Sequence, residues 1–343
     1  MRTLCQRQQT LAEENGGRVL AEQTRDQVFE ASVRDQLELI EAALLKAAEA
    51  DSDLVTEAAQ HIIAAGGKRF RPLLVVLGSY LGPHAATADV VKAAVVVELT
   101  HVASLYHDDV MDEAGIRRGS VSANSRWGNT VAILVGDLLF ARASDIVCDL
   151  GPDFVRLQAR TFSRLVQGQI AETVGPSGAD PLDHYLQVVA DKTGSLIATS
   201  ALFGSKISGA APELQRVMAD FGEQIGVVFQ LSDDIIDITS DDTGKTPGTD
   251  LREGILTLPT LLARKSRDPA DARLLQLLDS DLHDDAALHE VLDLLRRHRC
   301  IDQAREEVRQ RAEAARVLLD PLPAGSARDA LDDLCTTVVT RTA

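Results

Sequence analysis

Aromatic residues are scarce in this sequence: Phe, Trp and Tyr together make up 3% of its 343 residues. Ala and Leu are abundant, and both have high helix propensity, so the balance leans towards helix. Positive charge is also scarce. The net charge of −17 argues against general nucleic-acid binding, which needs a basic face. An anionic substrate remains compatible if cations are concentrated locally. Lysine is rare, confined to Lys46, Lys68, Lys92, Lys192, Lys206, Lys245 and Lys265, so the placement of each one carries information. Cys5, Cys148, Cys300 and Cys335 have the spacing of neither a zinc site nor a disulfide framework. They read as inert thiols in a reducing, cytoplasmic setting. No apolar run reaches the roughly 18 residues of a membrane span, and Met1–Glu30 has no signal-peptide pattern. Period-two alternation between turn signals is missing as well, so no strand is expected.

What is present is helical periodicity. Leu37, Ile40, Leu44 and Ala47 recur at helix spacing from about Val33. A second helix is expected over 54–65, ended by Gly66-Gly67, and a third over 73–81 with Pro72 at its first position. Asp89 to about Glu113 reads as one long apolar helix, 115–125 as a loop, and 131–150, 153–173, 182–209 and 212–239 as further helices. No linker or fixed repeat divides the chain. The expectation is a single all-α domain over 33–343, preceded by a polar extension over 1–32.

The strongest chemical signal closes the long apolar helix: His107-Asp108-Asp109-Val110-Met111-Asp112-Glu113. Asp108 and Asp112 are four apart and share a helix face. They also sit at a C-terminus, where the macrodipole disfavours negative charge. Both penalties are relieved by a cation held between the carboxylates. The pattern recurs in Ser232-Asp233-Asp234-Ile235-Ile236-Asp237, again near the end of an apolar helix. Mg²⁺ prefers one or two carboxylates plus phosphate oxygens and water to a full protein cage. Two such half-sites facing one cavity suit a metal-bridged diphosphate. Solvated, charged helix ends are the bland alternative, and two copies in matching positions weigh against it.

The few cations gather near these motifs. Gly66-Gly67-Lys68-Arg69-Phe70-Arg71-Pro72 combines permissive glycines, clustered cations and a helix N-terminus, which itself attracts anions. Arg117-Arg118-Gly119 follows the first aspartate cluster, and arginine grips phosphate oxygens in pairs. Lys192-Thr193-Gly194 interrupts a helical segment, and Lys245 lies in a Gly/Pro/Lys loop after the second cluster. His101 lies two turns before Asp108 on roughly the same face.

Taken in order, GGKRFRP, the His-containing helix ending in DDVMD, RRG, KTG, FQLSDD-IID and GKTPGTD resemble the trans-isoprenyl diphosphate synthase (polyprenyl synthetase) family over roughly 35–330. That resemblance implies an isoprenoid-synthase bundle around a deep central cavity, working as a homodimer. It implies Mg²⁺, about three ions per active site, with Asp108, Asp112 and Asp233 as ligands, Asp109 in support, and Asp234 and Asp237 acting through water. Arg117, Lys192 and Lys245 would grip the allylic diphosphate. Gly67, Lys68, Arg71, His101 and Arg118 would form the isopentenyl diphosphate site, and Thr193 and Gln230 would line the cavity near the forming cation. One departure stands out: Ile255 follows Asp250-Leu251-Arg252-Glu253-Gly254 where many members carry Lys, leaving Arg252 as a possible substitute.

The implied reaction is ionisation, condensation and elimination, with electrostatic stabilisation of the leaving diphosphate. Ala103 and Ser104, just upstream of the first cluster, are both small. In this family that favours a deep tunnel and a long all-trans polyprenyl product. A floor from another helix, for example Leu134, Leu138 or Phe140, would give geranylgeranyl diphosphate instead. A class I terpene cyclase and a non-catalytic partner subunit also remain open.

Overall fold

A computed structural model describes residues 26–239 and 247–342 of the chain. Within them helices dominate. α1 covers 26–47, and α2 (Asp53–Ala64), α3 (Phe70–Ser79) and α4 (Ala88–Met111) follow. A short hairpin, β1 (Ile116–Arg117) and β2 (Ser120–Val121), leads to α5 (Ala123–Trp127), α6 (Asn129–Cys148), α7 (Pro152–Val174) and α8 (Pro181–Val189). A π-helical turn, Ala190–Gly194, continues directly into α9 (Ser195–Ile207) and then α10 (Pro212–Thr239). The C-terminal part holds α11 (Thr249–Arg252), α12 (Leu258–Arg264), α13 (Ala272–Leu278), α14 (Asp285–Arg297), α15 (Cys300–Val317) and α16 (Ser326–Thr340).

Local chemistry fixes several helix starts. Thr87 caps α4 by accepting from Val90 N–H, and Asp180, just before Pro181, accepts from Leu182 and Asp183 N–H at the start of α8. Thr257 and Thr260 form a reciprocal capping box at α12. α4 is apolar nearly all round, from Val90 to Tyr106, and such a helix belongs inside the protein. It packs against α3, α6 and α9, and Leu99, Val102 and Ala103 are fully buried. Each large apolar side chain buried there stabilises the fold by about 1.5–3 kcal/mol. α10 packs chiefly on α9 and α15. α4 and α10, the two apolar helices that end in aspartates, thus both pack against α9.

The structure departs from the expected elements at instructive places. Residues 115–125 contain a hairpin and a short helix as well as loop. Ile116 pairs with Val121 and Arg117 with Ser120, strands too short to show any alternation. The turn residues Arg118 and Gly119 both have positive φ, 53° and 76°, as tight hairpins require. α3 begins at Phe70, because Arg69 adopts a left-handed conformation before it, so Pro72 sits inside the first turn and not at its head. The helix expected over 182–209 is split by the π turn. α1 is already helical on the N-terminal side of Val33: Phe29 packs edge-on against Tyr80 at 4.8 Å, Tyr80 donates to Ser32 Oγ, and Ser326 donates to Asp26. Among the described residues no helix is long and apolar enough to cross a membrane.

Candidate active site

Asp108 lies inside the last turn of α4 and Asp112 caps its end, donating its N–H to Asp108 O at 2.8 Å. Neither carboxylate has a side-chain hydrogen bond or ion pair among the described residues. Burial, together with the neighbouring Asp112 charge, pushes the Asp108 pKa up to about 6 against the pull of Lys192. Two partly buried carboxylates on one helix end, both raised in pKa by burial despite Lys192 and Arg117, fit a hard divalent cation. Among the described residues no three His, Cys, Asp or Glu side chains form a metal cage on their own. Asp109 points elsewhere: it is fully buried, and its Oδ1 accepts from Arg117 Nε at 2.5 Å.

The π turn faces this cluster. Lys192 donates to Glu172 of α7 at 2.6 Å. Burial lowers its pKa, but Glu172, Asp108 and Asp112 outweigh that and raise it. The ammonium therefore stays charged within the field of the first aspartates. Thr193 Oγ1 donates to Gln230 Oε1 at 3.2 Å, and Gln230 Nε2 donates to Asp234 Oδ1 at 3.0 Å. Lys192 and Thr193 thereby join the end of α4 to the second aspartate cluster on α10.

The three second-cluster aspartates have different surroundings. Asp233 is partly exposed and pairs with Lys68 Nζ at 3.3 Å and with Arg341. Asp234 is buried, accepting from the Tyr185 hydroxyl, Gln230 and the Leu258 N–H, and burial raises its pKa. Asp237 accepts from the N–H of Asp250 through Oδ2 and from that of Gly248 through its carbonyl, tying α10 to the start of α11.

The basic loop closes the other side. Gly67 has φ +154°, a backbone conformation that favours glycine, and a Cβ there would lie 3.0 Å from the Arg118 guanidinium carbon. Arg118 donates to the carbonyls of Ile62 and Gly66, capping the end of α2. His101 is partly buried among Arg71, Arg118, Arg117 and Arg69. Burial first, then those four charges, hold its pKa well below the usual range, so the ring stays neutral. Arg71 has a buried Nε with no hydrogen-bond partner among the described residues, and burial and the nearby Arg118 lower its pKa to about 10. A strongly acidic protein thus gathers four arginines in one small region beside Asp233, which supports Arg71 electrostatically.

Among the expected residues, Lys245 lies outside the described residues. Ala103 is fully buried, while Ser104 is partly exposed and donates to His101 O at 2.8 Å. Arg252 does not turn towards the aspartates: it is committed to Asp285 at 2.6 Å and to His283 O. Sequence reasoning overlooked Glu98, Glu172, Tyr185, Phe229 and Arg341. Glu98 is 2% exposed and accepts from Arg69 Nη1 at 3.1 Å, holding a buried charge against the arginine group. Its position on α4, one turn before His101, was the available signal. Phe229 carries both Lys68 Nζ and the Arg341 guanidinium over its ring, at 4.8 and 4.9 Å. Nothing local in the sequence announces that contact.

Comparison with known proteins agrees with this geometry. The polyprenyl synthetase family model matches residues 52–295. The chain is 45% identical to nonaprenyl diphosphate synthase of Mycobacterium tuberculosis, over 92% of this chain and 95% of that protein. It is 41% identical to a dimethylallyltranstransferase of the same organism, over 90% and 95%. A crystal structure of geranylgeranyl pyrophosphate synthase from Corynebacterium glutamicum, complexed with calcium and isoprenyl diphosphate, superposes with a TM-score of 0.81 at 44% identity, covering 91% of this chain and 97% of that one. With a predominantly helical body, two helix-borne aspartate clusters and a group of arginines near the second, the chain belongs to the polyprenyl synthetase family of trans-prenyltransferases.

Proposed function

We propose that this enzyme condenses isopentenyl diphosphate with farnesyl or geranylgeranyl diphosphate to give a long-chain all-trans polyprenyl diphosphate, in the cytoplasm, as a homodimer. The observation that carries the reading is the 190–194 turn, where the Lys192 charge acts on Asp108 and Asp112 while Thr193 reaches Asp234 through Gln230.

Asp108, Asp112 and Asp233 are the proposed Mg²⁺ ligands, for about three ions per site. The relative crystallised with calcium and isoprenyl diphosphate supports a divalent cation at such a site. When bound, the metal supplies Lewis-acid stabilisation of the departing diphosphate. Lys192, with Arg117 and Lys245, holds the allylic diphosphate, so its C–O bond breaks to an allylic cation. Thr193 and Gln230 present oxygen atoms near that cation. Gly67, Lys68, Arg71, His101 and Arg118 hold isopentenyl diphosphate so that its double bond attacks the cation, after which a proton leaves. Neutral His101 contributes a hydrogen bond without adding to the repulsion among the arginines. No protein nucleophile takes part.

Small residues at 103 and 104 support a long product, as does the nonaprenyl name of one relative. The geranylgeranyl name of another keeps the shorter product as the second reading. The apolar side chains Ile133 and Leu134 on α6 and Ile170 and Val174 on α7 are exposed, at 42, 61, 56 and 67%. An unpartnered apolar face of this kind supports self-association through α6 and α7. The deciding experiment incubates the purified protein with Mg²⁺, labelled isopentenyl diphosphate and each allylic starter, then measures product length. A labelled long-chain product is expected. Absence of label in any prenyl product removes the synthase reading, and a cyclised hydrocarbon would indicate a terpene cyclase.

A further inference from the structure

One arginine outside the motifs ties down the turn that carries Lys192 and Thr193. A π turn within a helix is rare and marks an imposed, often functional, irregularity. Arg164 on α7 donates through Nε to Asp191 of that turn, and through Nη1 and Nη2 to both oxygens of Glu223 on α10, at 2.8 and 2.9 Å. Asp191 accepts a further bond from Gln187 Nε2 at 2.7 Å, and its carbonyl accepts from Ser195 Oγ at 2.5 Å. Backbones close in at the same level. A Cβ on Gly168 would lie 2.6 Å from Lys192 N, and one on Gly226 would lie 2.9 Å from Gly194 Cα. Asp191 immediately precedes Lys192, so a shift of one displaces the other.

We propose that Arg164 is a positioning residue for prenyl transfer: through Asp191 and Glu223 it holds the 190–194 turn so that Lys192 Nζ and Thr193 Oγ1 stay between the two aspartate clusters. The proposal rests on the function assigned above. Arg164 and Glu223 are about one-third exposed, at 36 and 37%, so solvent screening discounts what even this bidentate pair adds to stability. The consequence of losing the clamp therefore falls on placement, where a displacement of about 1 Å can cost on the order of a hundredfold in rate.

The test compares Arg164→Gln and Asp191→Asn in the wild-type and Lys192→Ala backgrounds. In the wild-type background each is expected to lower kcat/KM for the allylic diphosphate between about 10- and 100-fold, leaving KM for isopentenyl diphosphate nearly unchanged. In the Lys192→Ala background the same changes are expected to have a much smaller effect, because the part that acts through that lysine is already lost and only the part through Thr193 remains. Hydrogen exchange is expected to show lost protection confined to the 190–195 amides. Equal losses in both backgrounds, or parallel rises in both KM values, would overturn the clamp while leaving the synthase reading intact. Unchanged exchange at 190–195 would overturn it even in a protein that failed to incorporate isopentenyl diphosphate.

Discussion

Lys68 Nζ lies 3.3 Å from Asp233 Oδ1, joining the glycine-led loop before α3 to an aspartate 165 residues later. The pair is exposed at 57 and 36%, so it contributes about 0–1 kcal/mol to stability. Its value lies in placing an ammonium beside a candidate metal ligand. Lys68→Ala is therefore expected to raise KM for isopentenyl diphosphate about tenfold or more, the effect of losing one charged hydrogen bond, with little change in thermal midpoint. Initial-rate kinetics beside calorimetry check this. A large loss of stability at constant KM would assign the lysine a structural role.

Asp108→Asn and Asp112→Asn each remove a carboxylate with no side-chain hydrogen bond or ion pair among the described residues. Activity is expected to fall at least about a hundredfold, since a major source of transition-state stabilisation is lost, while the fold is retained or gains stability from the relieved repulsion. Steady-state rates across a Mg²⁺ titration give the readout. Wild-type activity unaffected by EDTA would refute the metal assignment.

Ser104→Phe places a large ring one turn before Asp108. The expected outcome is a shorter prenyl product at nearly normal initial rates, resolved by chromatography of the dephosphorylated alcohols. Ala103→Phe, at a fully buried position, is expected to shorten the product too, with an overpacking cost of about 1–3 kcal/mol. An unchanged product ladder for both variants would move the tunnel away from this part of α4.

Leu134→Glu and Ile170→Glu put charge on the exposed apolar faces of α6 and α7. Light scattering coupled to size exclusion is expected to show dimers for the wild type and monomers for the double variant. A monomeric wild type, or a double variant that remains dimeric, would remove these faces as the interface.

His101 gives a pH prediction with a definite sign. Its folded pKa is depressed below the ordinary 6.5 by burial and four arginines. Below about pH 6.5 the unfolded chain binds a proton that the native ring does not, so stability falls with falling pH by up to about 1.4 kcal/mol per unit. His101→Gln is expected to lose less stability than wild type between pH 7.5 and 5.5 in urea unfolding. Equal losses would mean the native ring is protonated.

Several features were legible from local pattern alone. The apolar run of α4, the DDxxD spacing and the Gly66-Gly67 stop each follow from interactions within a few residues. α10 matches its expected span, 212–239, because Pro212 and a polar, glycine-containing stretch of sequence bracket a clear helical period. The π turn was visible only as a disturbance around Lys192, and the 116–121 hairpin not at all, since two-residue strands carry no period.

The helical class, the two aspartate clusters and the local clustering of scarce cations were readable from the chain alone, because helix periodicity and i, i+4 spacing are properties of neighbouring residues. Which members of those clusters find protein partners depended on the packing of the whole chain. It turned Asp109 to Arg117 and buried Asp234 against Tyr185. It drew Arg252 to Asp285, and brought Glu172, Phe229 and Arg341 to the site. Those outcomes depend on how distant helices pack, and on which buried charges find partners across the fold, information that no short stretch of chain contains.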